Sequence, residues 1–536
     1  MTGHDQKRED DLPDSVFYAE WVRREEARAA SESGLSLWEL MQRAGDAAFQ
    51  VARQCYPSAQ RWRVLAGHGN NGGDAYVVAS LALAAGIEVD VVACASDKPL
   101  PDEAHLAQQR WLEQGGRVQD VSAQDADMSW PDEIDLIVDG LLGTGLSAAP
   151  RAPYAALMTQ ANAYPAPIIS LDIPSGLHAE TGTCAGVTIG AAQTVTFIAL
   201  KPGLLTGRAR EQVGTLHYHS LGLQAWLDNQ TAPIRRLTAA QLPEWLSPRP
   251  AGQHKGDNGR LLVVGGNAGL GGAVLMAADA ALHSGAGLVR VLTHKQYQSA
   301  FLTARPELMV QELTTETLRQ GLEWADVVVI GPGLGQDDWG KSALRLAENC
   351  NKPMLWDADA LNLLAINPHK RQNRVLTPHP GEAARLLNCR VSDIESDRLL
   401  AATKLVKRYG GVVVLKGAGT VIVSERDEVA IADVGNPGMA TGGMGDVLSG
   451  IVGGLLAQKL SLYDAACAGC VVHGAAADWL AARRGTRGML ATDLLPVLFR
   501  YVNPERMLLE PMFLEPMFLE PMFLEPMFLE PMFLEQ

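Results

Sequence analysis

A glycine-rich segment in the second half of the chain carries the residues with the clearest chemical potential. The segment GNPGMATGGMGDVLSG spans residues 435–450. Its glycines let the backbone fold tightly, so that successive N–H groups can converge on an anion near the start of a helix. An aspartate at the mouth of such an anion hole can take a proton from a hydroxyl that attacks a phosphoryl group. The pattern therefore predicts phosphoryl transfer with Asp446 as the base, against the simpler interpretation of a turn with a helix-capping aspartate.

Three strand ends in the first half offer a second group of polar side chains. The segments are GNNGGDAYVVA (69–79), VDGLLGTGLSA (138–148) and SLDIPSGL (170–177). Each one alone is typical of a loop with a helix cap, but the carboxyl ends of parallel strands meet at one edge of a sheet, where ligands usually bind. Amide, carboxylate and hydroxyl oxygens are hard ligands, which suit a hard cation such as K⁺. We therefore expect a second, separate site at this edge.

The elements that must position these residues form two α/β halves. Short apolar runs such as WRVLAG (62–67) and IDLIVDG (134–140) alternate with helical stretches in the first half, and LLVVGG (261–266) begins a second series. This alternation predicts parallel sheets covered by helices. The predicted limits are a first domain over 14–225, a boundary region over 226–258, a second domain over 236–505, and a PMFLE-repeat tail over 507–536 that we exclude from the fold.

Composition limits the partners of the protein. The chain has 536 residues and a formal net charge of -16, which disfavours general nucleic-acid binding. We find no apolar run long enough to span a bilayer and no secretory signal, so we expect a cytoplasmic protein without a membrane partner. The seven cysteines do not form a disulfide framework, and the C-x-x-C pair Cys467 and Cys470 is expected to serve packing.

Two short patterns support rival functions. Residues 335–342 read GQDDWGKS, which satisfies a phosphate-loop pattern, but the first glycine lies beyond the expected strand end and Asp337 and Asp338 would face the phosphates. Residues 67–72 read GHGNNG, followed by Glu88 and Asp90 at the distance of a ribose-binding acid, which is typical of a dinucleotide-binding dehydrogenase. We expect Lys341 to lie exposed on a helix and the second pattern to belong to the GNNGGD motif.

The second half resembles the NAD(P)H-hydrate dehydratase family, a branch of the ribokinase-like fold. HKGDNGRLLVVGG (254–266), GPGLG (331–335), TPHPGE (377–382) and KGAGT (416–420) precede the glycine-rich segment in this order. The resemblance implies that ADP or ATP, with Mg²⁺, phosphorylates the hydroxyl on a hydrated nicotinamide ring, and that loss of phosphate restores the ring. It implies Asp446 as the catalytic base, a hydrate site of Ala273, Gly333, His379 and Asp446, and a nucleotide site of Lys416, Gly417, Ala418, Gly419, Thr420 and Gly445. Asn258 departs from the family, which commonly has an aromatic residue there.

The first half resembles the NAD(P)H-hydrate epimerase family, which has a Rossmann-like parallel-sheet domain. The three strand-end motifs carry this resemblance, which implies interconversion of the R and S hydrates. It implies Asp172 as the acid–base group and a substrate ligand, and Asn71, Asp139 and Ser175 as ligands of K⁺. The remaining implied substrate ligands are Asn70, Asn71, Gly72, Gly73, Asp74, Gly143, Thr144, Gly145, Leu146, Ser147, Ala148 and Ala149.

The order of the two halves is similar to that of bifunctional repair enzymes, which is our leading hypothesis. It implies NADHX or NADPHX and ADP or ATP as small-molecule substrates, and we expect a homo-oligomer. A ribokinase-class vitamin or sugar kinase with an accessory first half is a second hypothesis, and a binding scaffold is a third. The TPHPGE turn and the lack of a typical sugar-kinase segment argue against the kinase. The presence of Asn71, Asp139 and Asp172 argues against the scaffold.

Overall fold

Two β-sheets, each covered by helices, organise the chain in this computed structural model, which describes residues 12–122, 130–131 and 133–504. The predicted tail over 507–536 lies outside the described residues. The strands up to residue 219 are β1 (Ser15–Val16), β2 (Arg61–Ala66), β3 (Glu88–Cys94), β4 (Val118–Val121), β5 (Leu136–Gly140), β6 (Ile168–Leu171), β7 (Gln193–Phe197) and β8 (Thr215–His219). The helices up to residue 227 are α1 (Ala19–Glu32), α2 (Leu37–Cys55), α3 (Asn70–Ala84), α4 (Asp102–Glu113), α5 (Tyr154–Ala163), α6 (Ala209–Gln212) and α7 (Gln224–Leu227).

The first sheet has seven parallel strands in the order β4-β3-β2-β5-β6-β7-β8. Its central strands are apolar on both faces because helices cover both, and β5 is buried along its whole length. The helix after the first motif begins at Asn70, so the GNNGGD residues form its first turns rather than a preceding loop. The expected α/β class of the first half is confirmed.

The second sheet has eleven strands, and most of them come from the second half of the chain. Its later strands are β9 (Ile234–Leu237), β10 (Arg260–Val264), β11 (Leu288–Thr293), β12 (Met309–Glu312), β13 (Val327–Ile330), β14 (Met354–Trp356), β15 (Arg374–Leu376), β16 (Val412–Leu415), β17 (Thr420–Ser424) and β18 (Val429–Ala432). The order is β1-β9-β18-β17-β16-β15-β14-β13-β10-β11-β12. β10 to β16 are parallel, whereas β16, β17 and β18 pair as antiparallel neighbours.

Helices on both faces complete the second half. They are α8 (Leu242–Trp245), α9 (Gly271–His283), α10 (Gln298–Ala304), α11 (Thr315–Trp324), α12 (Asp338–Ala347), α13 (Asp359–Ile366), α14 (Pro380–Leu387), α15 (Val391–Ser396), α16 (Arg398–Tyr409), α17 (Met444–Ala457), α18 (Leu462–Arg484) and α19 (Leu498–Tyr501). The expected helical stretch over 445–484 is therefore two helices, α17 and α18. Both contribute to one hydrophobic core with α9.

Helix α18 passes the length and hydropathy test for a membrane span, contrary to the expectation that no segment would. However, 78% of its most apolar window is buried inside the protein. The helix contains Cys467 and Cys470, which are both buried free thiols within the core. Its apolar character therefore serves packing against α17 and the second sheet.

The two halves also share structure. β1, at the start of the first half, pairs antiparallel with β9, and β9 pairs in parallel with β18 of the second sheet. A single hydrophobic cluster contains Leu204 and Leu205 of the first half together with Leu415 and Ile431 of the second. The region over 226–258, expected to be a boundary, thus contains a strand of the second sheet, and the exact domain limits stay a prediction.

Candidate active sites

A cavity of about 790 Å³ lies at the carboxyl ends of β2, β5 and β6. The three sequence motifs meet there, as parallel strands require. The predicted residues that line it are Asn70, Asn71, Asp74, Gly143, Thr144, Gly145, Leu146, Ser147, Ala148 and Asp172.

Asp172 is held in an unusual conformation at the edge of this cavity. Its φ of 62° lies in the left-handed region, which is costly for a residue with a Cβ and is often found at functional sites. Its Oδ1 accepts hydrogen bonds from Phe197 N at 3.2 Å and from the Lys201 ammonium, with which it forms an ion pair. Lys201 is only 1% exposed, so the ammonium is committed to this pair and to Phe197 O and Thr196 Oγ1. The carboxylate is therefore fixed in position next to the cavity.

Two further carboxyl groups surround Asp172. Burial raises the pKa of Asp74 well above its usual value, and the charges of Asp172 and Glu26 raise it further. Burial, followed by the charge of Asp172, also raises the pKa of Glu26. Both residues line the cavity, which thus contains groups able to hold a proton beside an ion-paired carboxylate.

Asn71, Asp139 and Ser175, the predicted K⁺ ligands, lie close together at the wall of this cavity, because Asn71 Nδ2 and Ser175 Oγ both contact the carbonyl oxygen of Leu142. Asp139 is fully buried, and Ser175 Oγ donates to its Oδ1 at 2.5 Å while Ser175 N donates to its Oδ2 at 2.9 Å. No cationic side chain among the described residues pairs with Asp139. The buried Oδ1 of Asn71 has no hydrogen-bond partner in the described part of the chain. A buried carboxylate without a counter-ion, beside an unsatisfied amide oxygen, fits a monovalent cation.

Gly72, Gly73 and Ala149 do not line the cavity, although the resemblance implies that they bind substrate. A Cβ on Gly72 would lie 2.0 Å from the carbonyl oxygen of Gly67, and a Cβ on Gly73 would collide with Met41. These two glycines let helix α3 pack closely against its neighbours. Their role in binding stays a prediction.

A second cavity, of about 940 Å³, lies at the carboxyl ends of β14, β15 and β16 and at the start of α17. Most of the residues predicted for the second half meet at this cavity. Those that line it are His379, Lys416, Gly417, Ala418, Thr420, Gly445 and Asp446.

A charged cluster forms one side of the second cavity. Lys416 Nζ donates to Asp357 Oδ1 at 2.9 Å, and Ser449 Oγ donates to Asp357 Oδ2 at 2.7 Å. Asp446 lies in the first turn of α17, where burial and the charge of Asp357 raise its pKa to about 7. Burial alone would lower the pKa of Lys416, but Asp357 and Glu382 together raise it above its usual value. Lys416 is therefore a permanent cation next to a carboxyl group that exchanges protons near neutral pH.

Two histidines line the second cavity in different ways. His379 caps helix α14, with its Nδ1 accepting from Gly381 N at 3.0 Å. Burial lowers its pKa, so the ring is neutral near pH 7. His473 of α18 is 6% exposed, and its Nε2 has no partner within the described ranges. Burial lowers the pKa of His473 to about 4. Its neutral ring offers the cavity an unsatisfied polar atom.

Ala273, Gly333 and Gly419 lie outside the lining of the second cavity. A Cβ on Gly333 would come within 3.3 Å of the Ala273 Cβ, so these two residues adjoin one another at the start of α9. Gly419 has a φ of 63° and packs against Leu205 of the first half. Their predicted roles in binding hydrate and nucleotide stay predictions.

Two backbone N–H groups of the rival phosphate loop are occupied by carboxylates. The Gly335 N–H donates to Asp359 Oδ2 at 2.8 Å, and the Gly340 N–H donates to Asp337 Oδ1 at 3.1 Å. Carboxylates therefore occupy two of the N–H groups that a phosphate would need. The predicted helix start is present at Asp338, but Lys341 is half-buried rather than exposed, because α12 packs this part of its surface inward.

The rival dinucleotide motif lacks its ribose-binding acid. β2 and β3 run parallel, with Arg61 opposite Glu88 and Arg63 opposite Asp90. Both acids therefore lie near the amino end of β3, away from the edge where the cavity opens. Asp90 instead forms an ion pair with Arg63.

Comparison with known proteins matches both halves of the chain. A family model described as YjeF-related protein N-terminus matches residues 38–203, and one described as NAD(P)H-hydrate dehydratase matches residues 261–500. A bifunctional NAD(P)H-hydrate repair enzyme from Escherichia coli (strain K12) is 62% identical over 94% of this chain and 97% of that protein. The chain belongs to this family. A bifunctional NAD(P)H-hydrate repair enzyme from Leishmania braziliensis is 45% identical over 91% of this chain and 93% of that protein.

Family membership confirms the predicted enzyme class and the ribokinase-like second half. A solved structure of ADP/ATP-dependent NAD(P)H-hydrate dehydratase from Bacillus subtilis, co-crystallised with ATP and Mg²⁺, is 27% identical, with a TM-score of 0.45. The match covers 49% of this chain and 96% of that one. The kinase, scaffold and phosphate-loop hypotheses are not favoured.

The sequence analysis missed several residues that line the two cavities, among them Glu26, Lys201, Asp357, Glu382 and His473. Glu382 belongs to the quoted TPHPGE motif, and Asp357 directly follows a strand, so both carried a usable signal. Glu26 and His473 lie within helices whose sequence patterns indicate only packing. Lys201 lies 29 residues from Asp172, and only the fold brings the two together.

Proposed function

We propose that the first cavity interconverts the R and S hydrates of NADH and NADPH, and that the second dehydrates the S form at the expense of ADP or ATP. One observation carries this proposal. Each cavity contains a positioned carboxyl group beside a lysine, Asp172 with the buried Lys201 and Asp446 next to the partly buried Lys416. Two separate sites of this kind support two separate reactions on one chain.

In the second cavity, Asp446 acts as the general base. It takes the proton of the hydrate hydroxyl as the hydroxyl oxygen attacks the terminal phosphorus of the nucleotide, which releases AMP from ADP or ADP from ATP. The N–H groups at the start of α17 and the ammonium of Lys416 stabilise the negative charge of the transferred group. The C–O bond to the phosphoryl group then breaks, the neighbouring ring carbon gives up a proton that leaves with inorganic phosphate, and the ring regains its double bond. Mg²⁺ enters as part of the nucleotide substrate, and its chemistry is to neutralise phosphate charge.

In the first cavity, Asp172 acts as the acid–base group. Epimerisation inverts the carbon that carries the hydroxyl group, so the C–O bond at this carbon must break and form again on the other face of the ring. A group that donates a proton to the departing oxygen and takes a proton back when water adds again can catalyse both steps. Lys201 holds the carboxylate in place, and the left-handed backbone at Asp172 directs it towards the cavity. The raised pKa values of Asp74 and Glu26 support a role for these neighbours in holding the exchanged proton.

We assign a K⁺ ion to Asn71, Asp139 and Ser175. The unpartnered Asn71 Oδ1 and the buried Asp139 carboxylate support this assignment. When bound, the ion supplies positive charge beneath the substrate. These residues would hold the loop after β5 in place, since Ser175 Oγ also accepts a hydrogen bond from Leu142 N at 2.8 Å.

The test is to incubate the protein with a mixture of hydrate epimers and each nucleotide. With ADP or ATP, the protein should consume both epimers, and the absorbance of the reduced nicotinamide should recover. Without nucleotide, the protein should only interconvert the two epimers. Replacing K⁺ by a larger organic cation should slow epimerisation and leave dehydration of pure S hydrate unchanged. A protein that acts on neither epimer would contradict the proposal.

A further inference from the structure

One segment of the first half reaches the second cavity. We name Lys201–Gly214 the bridging segment. It begins at the lysine that pairs with Asp172, and four of its later residues line the cavity of Asp446. These residues are Gly207, Arg210, Glu211 and Gly214. The second cavity is therefore enclosed by both halves of the chain.

The bridging segment is bound tightly to the predicted nucleotide loop. Thr206 Oγ1 donates to the carbonyl oxygen of Gly419 at 2.8 Å and accepts from Arg398 Nε at 3.2 Å. A Cβ on Gly419 would lie 2.0 Å from the carbonyl oxygen of Leu205. Thr206 and Arg398 are 1% and 2% exposed, so these contacts are shielded from solvent. The position of Arg210 relative to the loop is accordingly fixed.

The charges around Arg210 favour an anion. Arg210 Nη2 donates to Asp433 Oδ1 at 3.0 Å, and Arg236 Nε donates to Asp433 Oδ2 at 2.7 Å. One carboxylate is thus shared by two guanidinium groups, and the neighbouring Glu211 carboxylate pairs with Arg208 instead of Arg210. Arg210 Nη1 also donates to the carbonyl oxygen of Gly435, at 3.0 Å, which fixes the side chain at the cavity wall.

The other charged residues of the cavity leave few cationic side chains, apart from Arg210, that could bind a phosphate group. Four acidic residues line it, Asp357, Glu382, Asp446 and Glu211, and burial raises the pKa values of Glu382 and Asp446 to about 7, so that these two are protonated for part of the time near neutral pH. The described residues of its lining include two that are always cationic, Lys416 and Arg210. Lys416 already pairs with Asp357. A nucleoside diphosphate carries several negative charges, and a guanidinium group is well suited to bind phosphate oxygens. Arg210 is 38% exposed and retains N–H donors beyond its two protein contacts.

We infer that Arg210 of the first half binds the phosphate groups of the adenine nucleotide used by the second half. This inference rests on the proposed function, because it places the nucleotide in the second cavity. The nucleotide site is then a composite of both halves, and nucleotide affinity depends on a residue outside the ribokinase-like part.

The experiment compares R210A, R210K and R235A with the wild type, each in the full chain. Titration calorimetry with ADP should show a Kd about tenfold higher for R210A and an intermediate value for R210K, because a charge-assisted contact is lost or loosened. The KM for S hydrate and the rate of epimerisation should remain unchanged. Arg235 is the matched control, since it is 40% exposed, pairs with Glu244 and lines neither cavity.

An unchanged Kd for ADP in R210A would overturn the inference, and so would an equal change in R235A. A rise in the KM for hydrate without a change in the Kd for ADP would assign Arg210 to the other substrate and would also overturn it. The binding measurement needs no turnover. A wild type that binds ADP but leaves hydrates unchanged would therefore contradict the proposed function while the inference is still tested.

Discussion

Asp172 and Asp446 are surrounded by different charges, although both belong to motifs that contain glycine and proline. Asp172 forms an ion pair with the buried Lys201, whereas the lysine nearest to Asp446, Lys416, forms its ion pair with Asp357. The motifs alone located both aspartates, because a carboxylate at a strand end or in the first turn of a helix is a local pattern. Their charge partners follow only from the fold.

The first prediction at this scale is that the two reactions can be separated. Asp446→Asn should abolish dehydration of S hydrate while epimerisation continues, and Asp172→Asn should do the reverse. Removal of a positioned acid–base group costs about 10²–10⁴-fold in rate. The measurement is chromatographic separation of both epimers over time, with and without nucleotide.

The controls for this pair are internal, since each variant serves as the folded control for the other. Asparagine keeps the shape of aspartate, so we expect both variants to fold, with a lower melting temperature for Asp172→Asn because the buried Lys201 ammonium loses its charge partner. If Asp172→Asn also stopped repair of pure S hydrate, the proposed division of labour would be wrong.

A second prediction concerns the pH dependence of dehydration. A base must be ionised to accept a proton, and the pKa of Asp446 is raised to about 7. The kcat for pure S hydrate should therefore rise as pH increases from 5.5 to 8 and level off above the pKa, by about tenfold per pH unit on the acid limb. Burial and Asp357 cause the shift, so Asp357→Asn should move the midpoint to lower pH. A rate that falls over this range would contradict the role of Asp446 as base.

At the scale of elements, helix starts decide which loops can bind anions. α17 begins after Gly443, which has a φ of 92°, and within the described ranges no side chain caps its first N–H groups. α12 begins after Asp337, whose carboxylate accepts from Gly340 N. Both segments contain several glycines, but at the start of α12 a carboxylate already occupies one of the N–H groups. The two aspartates at the start of α12, Asp337 and Asp338, already indicate in the sequence that carboxylates compete with a phosphate there. The hydrogen bond from Gly340 N to Asp337 follows only from the structure.

The corresponding prediction separates two lysines. Lys341→Ala should leave nucleotide-dependent turnover within about twofold of the wild type, because Lys341 lies on α12 and lines neither cavity. Lys416→Ala should lower kcat by about a hundredfold, because its ammonium faces the transferred group. Steady-state kinetics with ADP and S hydrate give both values. A loss of a hundredfold or more in Lys341→Ala would revive the phosphate-loop hypothesis.

At the scale of the whole molecule, strand pairing and side-chain packing connect the two halves. β1 pairs within the second sheet, and the bridging segment packs on the nucleotide loop. The repair family places both reactions on one chain, and this structure adds that one cavity is built from both halves. A homo-oligomeric state and a cytoplasmic location stay predictions.

The prediction at this scale concerns the C-terminal repeat. Deletion of residues 507–536 should lower neither activity nor the melting temperature, because a proline at every fifth position prevents a helix that could pack on the domains. Solubility should improve, since a Met-, Phe- and Leu-rich repeat favours association. Differential scanning calorimetry and the two activity assays check this. A truncated protein that fails to fold would show that the repeat belongs to the structure.

The sequence by itself determined the α/β class, the positions of most strands and the motifs around Asp172 and Asp446. These features depend on local patterns of apolar residues and glycines, which neighbouring residues specify. Only the tertiary structure decided that Lys201 pairs with Asp172, that Lys416 pairs with Asp357, and that Arg210 lines the second cavity. These contacts join residues 29 to 225 positions apart, for example Lys201 with Asp172 and Arg210 with Gly435. Such pairs leave no periodic pattern in the chain, because they arise where separate strands and loops converge.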